Sequence, residues 1–124
     1  TARSFVYTTG LPEGVAAAAL VGLRLASAER RERLAANAAR LRQGLAQIGA
    51  RVLGSAHIVP VLTGGPTMQV ARALHAAGVF APGIRYPTVP RGQERVRFTA
   101  SSEHSHEQID RCVDAMAKAL KAAG

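Results

Sequence analysis

The sequence predicts an α/β fold, in closer terms an α+β two-layer domain with a short, mostly antiparallel sheet covered by helices. Three observations carry that prediction. Almost every residue from 13 to 48 favours helix, residues 95–101 alternate strictly between polar and apolar, and residues 105–120 pair a helix-start signal with one apolar face. Helices and strands mixed in this way bury their apolar sides best as two packed layers around one core. A chain of 124 residues has room for one such core.

Taken in order, Ser4 to Thr9 is β-branched and aromatic, and Gly10 and Pro12 punctuate it, so residues 1–12 read as an extended segment feeding a helix. Residues 13–48 form a long helical region, either one helix or two with a break near Ser27. Leu34, Ala38, Leu41, Leu45 and Ile48 make a 4-3-4-3 stripe along it, and Arg30, Arg31, Arg33 and Arg40 fall largely outside that stripe as a solvated face. Residues 49–124 then read as a small α/β domain. Gly49 and Gly54 close the helical region, and His57 to Leu62 is a short buried strand in which Pro60 limits the pairing.

Thr63-Gly-Gly-Pro-Thr67 lacks the Lys and Ser/Thr that complete a phosphate-binding loop and reads as a plain turn. Pro66 suits the first position of a helix with Val70, Ala71, Leu74 and Ala77 on one face, and Gly78 stops it. Prolines at 82, 87 and 90 make residues 79–90 an irregular loop or an edge strand. In residues 95–101, Val96, Phe98 and Ala100 point one way, which leaves Arg97 on a polar face with Arg95, Thr99 and Ser101. Ser105 and Gln108 form a capping box, and Ile109, Cys112, Val113, Met116 and Leu120 trace the inner face of a last helix. Two or three strands under helices on one face are the expected sum.

Composition narrows the function. Sixteen basic against eight acidic residues give a formal charge of +8, and only Lys118 and Lys121 among the sixteen are lysine. A charge of that sign suits nucleic acid, but the aromatic content is 4% with no Trp and the arginines are scattered, so stacking platforms and a basic arm are both missing. No nucleic-acid partner is expected. The apolar run from Gly14 to Leu23 is too short to span a bilayer, and one cysteine, Cys112, suits a reducing compartment, so no membrane and a cytoplasmic location are expected. The chain starts at Thr1 without a methionine, which reads as a piece of something longer.

Catalytic groups are sparse. His57, His75, His104 and His106 are dispersed, the His104/His106 pair lacks further convergent ligands for a metal, and Ser101 and Ser102 near His104 lack the third member of a nucleophilic triad. Arg85 and Arg97 are better leads, because a guanidinium is a rigid fork that holds a carboxylate by two parallel hydrogen bonds and both lie in non-helical segments. Pattern alone also allows both to be plain surface charges.

Residues 3–12 (RSFVYTTGLP), 83–92 (GIRYPTVPRG) and 95–104 (RVRFTASSEH), in that order and with helices after the first and last, resemble the C-terminal part of the α-oxoamine synthases. These are pyridoxal-phosphate enzymes of the fold type I aminotransferase architecture, whose small C-terminal domain the predicted elements match. The resemblance implies a decarboxylating Claisen condensation of an amino acid with an acyl thioester in a homodimer. It implies that Arg97 holds the amino-acid carboxylate, that Thr88 and, less directly, Arg85 meet substrate, and that Thr8 and Thr9 reach the cofactor phosphate across the dimer interface. Ile84 to Pro90 is most similar to the oxononanoate-forming branch, which joins L-alanine to pimeloyl-CoA or pimeloyl-ACP in biotin biosynthesis. Tyr86 departs from the proline of that branch, which keeps a glycine C-acetyltransferase or another relative open.

The same resemblance places the Schiff-base lysine, the pyridine carboxylate and the ring-stacking histidine N-terminal to Thr1. Lys118 and Lys121 match no cofactor position, so the chain alone is expected to lack catalytic residues and activity. A stand-alone module that binds small carboxylates through Arg85 and Arg97 is the alternative from a different class.

Overall fold

The computed structural model describes residues 10–124. The predicted strand-like segment before Gly10, with Thr8 and Thr9, lies outside the described residues. The chain divides into two units, Thr1–Arg31 and Glu32–Gly124.

In the first unit, α1 (Glu13–Leu25) starts directly after Pro12 and ends at Ala26. Ser27 then opens α2 (Ala28–Gln47), its hydroxyl accepting a hydrogen bond from Arg30 N at 3.2 Å. The helical region is therefore two helices, and the break falls where a serine side chain offers the backbone an N-cap instead of a continued turn. None of the residues of α1 is buried.

The second unit holds the core. Ala38, Leu41 and Leu45 of α2 are buried and Leu34 and Ile48 half-buried, as the stripe predicts. The strands are β1 (Arg51–Val52), β2 (Ile58–Leu62), β3 (Gly83–Ile84) and β4 (Arg95–Thr99), in the order β1-β2-β4-β3 with every pair antiparallel. Between and after them run α3 (Thr67–Ala76) and α4 (His106–Ala123). Val59, Val61, Val96 and Phe98 point from the sheet into one cluster with Leu41, Leu45, Val70, Leu74, Ile109 and Met116. Burying this apolar area is the main stabilising term for the unit. Ile58, Pro60 and Leu62 stand on the opposite sheet face, paired across the ladder with Thr99, Arg97 and Arg95.

The expected two-layer class is what the structure has, with four strands among the described residues where two or three were expected. The extra strand, β1, has only two residues and carries no alternation to detect. Residues 79–90 contain an edge strand, β3, and then a turn. Pro66 is the N-cap of α3 and not its first residue. Thr67 begins that helix, its hydroxyl donating to Gly64 O at 2.6 Å and sharing a hydrogen bond with the Thr63 hydroxyl, so Thr63 to Thr67 is a turn closed by side chains. The capping box of α4 forms as predicted, with Gln108 N to Ser105 Oγ at 3.2 Å and Ser105 N to Gln108 Oε1 at 2.9 Å. Among the described residues no helix is long and apolar enough to cross a membrane.

Candidate functional site

Strand β4 alternates as the sequence requires: Val96 and Phe98 are buried, Arg97 and Thr99 exposed. Arg97 therefore rises from a strand whose other side is locked into the core. Its own N–H donates to Pro82 O at 3.0 Å, which extends the attachment beyond the two residues of β3. The Arg97 guanidinium has no hydrogen-bond or ion-pair partner among the described residues. An exposed, unpaired fork on a rigid strand is suited to a carboxylate ligand.

Arg97 also lines a groove of about 710 Å³ beside α4. Phe80, Phe98, Ile109 and Cys112 contribute apolar surface to it, and Arg111 and Lys118 add positive charge against one carboxylate, Asp114. Burial pushes the Cys112 thiol up to about 11, so at neutral pH it is a small apolar group and not a nucleophile.

Arg85 and Thr88 sit at the two ends of one turn, closed by Thr88 N to Arg85 O at 3.0 Å. Both are exposed, and neither lines the groove with Arg97. The turn follows β3 directly, whose Ile84 pairs with Arg95 two residues before Arg97. Arg91, three residues beyond the turn, folds back so that its guanidinium lies 4.7 Å from the centre of the Tyr86 ring, a cation–π contact.

His104 Nδ1 accepts from Ser101 N at 3.2 Å, and the Ser102 hydroxyl donates to Glu103 at 3.2 Å and not to a histidine. Among the described residues no three His, Cys, Asp or Glu side chains converge as a metal site would need.

Two residues escaped the sequence reading. Asn37 is buried on the apolar stripe of α2, its amide donating to Ser101 O and His104 O at 2.9 Å each, which fixes the segment that follows β4. A polar residue three from Leu34 and four from Leu41 was the available signal. Arg42 donates to four backbone carbonyls, and Pro60 within a strand was the signal that such a donor is needed.

Residues 1–116 match the family model for aminotransferase class I and II. The chain belongs to that family. Within it, the chain is 45% identical over 130 residues to the 8-amino-7-oxononanoate synthase of Geobacter metallireducens, covering 99% of this chain and 33% of the relative. The corresponding synthase of Geotalea daltonii is 43% identical over 123 residues, 94% of this chain and 31% of the relative. Among solved structures, Sphingomonas wittichii serine palmitoyltransferase superposes with a TM-score of 0.86 at 28% identity, over 98% of this chain and 32% of that one. The 8-amino-7-oxononanoate synthase of Francisella tularensis shares the fold, with a TM-score of 0.76 at 22% identity over 97% of this chain and 36% of that one.

The resemblance to the α-oxoamine synthases thus holds, and so does the small-domain architecture it implied. This member of the aminotransferase class I and II family spans about a third of the length of the curated relatives it matches. Both lysines are exposed on α4, with Lys118 on the groove.

Proposed function

We propose that this chain is the C-terminal part of a pyridoxal-phosphate-dependent C-acyltransferase. The enzyme condenses L-alanine with pimeloyl-CoA or pimeloyl-ACP, releasing carbon dioxide and giving 8-amino-7-oxononanoate for biotin biosynthesis. It works as a cytoplasmic homodimer. The observation that carries this reading is Arg97, an exposed guanidinium, unpaired among the described residues, on a strand fixed from both sides.

Arg97 binds the amino-acid carboxylate through two parallel hydrogen bonds and so fixes the orientation of the Cα–H bond that must be broken. Thr88 and Arg85, on the exposed turn after β3, contact the acyl substrate. The groove beside Arg97 lowers the exposure of the amino-acid substrate to water through Phe80 and Phe98. Thr8 and Thr9 supply hydroxyl and backbone donors to the cofactor phosphate. When bound, pyridoxal phosphate supplies the electron sink for negative charge at the amino-acid Cα.

One observation favours a different acyl chain. Tyr86 stands where the oxononanoate branch carries proline, and Arg91 is stacked on its ring. A glycine C-acetyltransferase or another α-oxoamine synthase is the second reading. Product analysis with alanine, glycine and serine, each paired with acetyl and pimeloyl thioesters, separates the two.

The test of the main reading is Arg97→Lys in the complete enzyme. Losing the bidentate fork should raise the amino-acid KM about tenfold or more and leave the thioester KM within about twofold. An unchanged amino-acid KM would remove Arg97 from the site.

A further inference from the structure

Proline in a strand paired on both sides needs an explanation. β2 has β1 on one side and β4 on the other. On the β1 side, Leu53 N donates to Pro60 O at 2.8 Å, so positions 53 and 60 form the kind of antiparallel pair that normally exchanges two hydrogen bonds. The return bond would run from an N–H at position 60 to Leu53 O, and proline has no N–H. Arg42 takes over that place in the ladder. Its Nη1 donates to Leu53 O at 2.7 Å and to Gly54 O at 2.7 Å, while Nη2 donates to Ala56 O at 2.5 Å and to Ile58 O at 2.9 Å. The chain turns away at Gly54, with φ of 72°, so beyond Leu53 there is no strand to meet Ile58, and the guanidinium takes its place.

On the β4 side, Pro60 faces Arg97. Ala100 N donates to His57 O at 2.9 Å and Thr63 N to Glu94 O at 3.0 Å, which makes 60 and 97 a pair without mutual hydrogen bonds. Side chains in such pairs lie closest, with Cα atoms about 4.5 Å apart. A rigid pyrrolidine ring at position 60 is then a wall beside the stem of Arg97, and Arg97 N is tied on its other side to Pro82 O.

We infer that Arg42 and Pro60 are a coupled positioning pair: Arg42 supplies the donor that proline lacks, and Pro60 thereby holds the Arg97 guanidinium in its binding orientation. This rests on the proposed role of Arg97 and adds two residues that never touch substrate. The pair explains why an arginine of α2 directs four of its donors at one loop. Its remaining Nε is buried and unpartnered among the described residues, so the geometry favours those four carbonyls at the cost of the fifth donor.

The experiment uses the complete enzyme with Arg42→Met, Pro60→Val and both together, and Arg97→Lys beside them. Arg42→Met should raise the amino-acid KM about three- to tenfold and leave the thioester KM within about twofold. In the double variant, the Pro60→Val change restores an N–H at position 60 for Leu53 O, and the amino-acid KM should return to within about twofold of Pro60→Val alone. Amide exchange at Leu53 should quicken in Arg42→Met and slow again in the double variant. Arg42→Lys, which keeps a donor but not the fork, should fall between wild type and Arg42→Met, and it serves if the methionine variant folds poorly. Equal rises in both KM values, or single effects that simply add in the double variant, would overturn the proposal. So would an Arg97→Lys effect on the amino-acid KM with none from Arg42→Met. If Arg97→Lys itself leaves that KM unchanged, the role of Arg97 has failed, and the proposal falls with it.

Discussion

Gly44 of α2 faces Val113 of α4 so closely that a Cβ added at position 44 would lie 2.7 Å from Val113 Cγ2. The two helices approach here because one residue has no side chain. A methyl group at position 44 must push aside a β-branched side chain that has little rotamer freedom in a helix. Gly44→Ala gains about 1 kcal/mol of helix propensity and loses about 1–3 kcal/mol to overpacking, so a net loss of about 1 kcal/mol is expected. Thermal melts would show it as a Tm lower by roughly 4–8 °C. In a Val113→Ala background the same substitution should become neutral or stabilising. A Gly44→Ala chain more stable than wild type, or strict additivity of the two changes, would show that the helices are free to separate.

Arg40 and Asp110 join the same two helices by a two-bond pair, Nε to Oδ1 at 2.9 Å and Nη2 to Oδ2 at 2.7 Å. The hydrogen bonds from Arg40 hold the Asp110 carboxyl below the ordinary aspartate range, with its charge a smaller contribution. The folded state therefore binds this proton less readily than the unfolded chain. The pair contributes stability above the ordinary aspartate pKa and loses it as pH falls through that range and the lower folded value. Asp110→Asn should accordingly be less stable than wild type near neutrality, with the gap closing as pH falls below about 4. Both side chains are about half exposed, so salt should shrink the gap too. A gap that stays constant from neutral pH to acid would mean that the pair adds nothing.

What the sequence made legible follows from periodicity. The stripe of α2, the alternation of β4 and the capping box of α4 each repeat a local rule several times, and each is found in the structure. β1 has two residues and no repeat to read. Asn37 and Arg42 were hidden for another reason: their partners are backbone carbonyls 11 to 67 residues away, and a carbonyl has the same sequence signature everywhere. At the candidate site, strand parity was enough to place Arg97 on an open face. The groove beside it comes from the packing of α4 against residues 77–82, which no single segment encodes.

Lys118 stands on that groove with Arg97, which raises the question of whether it could anchor pyridoxal phosphate by itself. The surroundings argue against it. A lysine that forms a stable Schiff base needs a dry pocket to keep its amine nucleophilic and a fixed site for the cofactor phosphate. Lys118 is exposed on α4, and Asp114 lines the same groove one turn earlier on that helix, so the amine meets water and a carboxylate and not a dry pocket. The 124-residue chain mixed with pyridoxal phosphate is therefore expected to show no persistent visible band, and borohydride should fix only low, unselective label on Lys118 and Lys121. Peptide mapping after reduction checks this. A stable band trapped stoichiometrically at Lys118 would mean that the chain carries its own anchor, and the proposed division of the site between this chain and the rest of the enzyme would have to be abandoned.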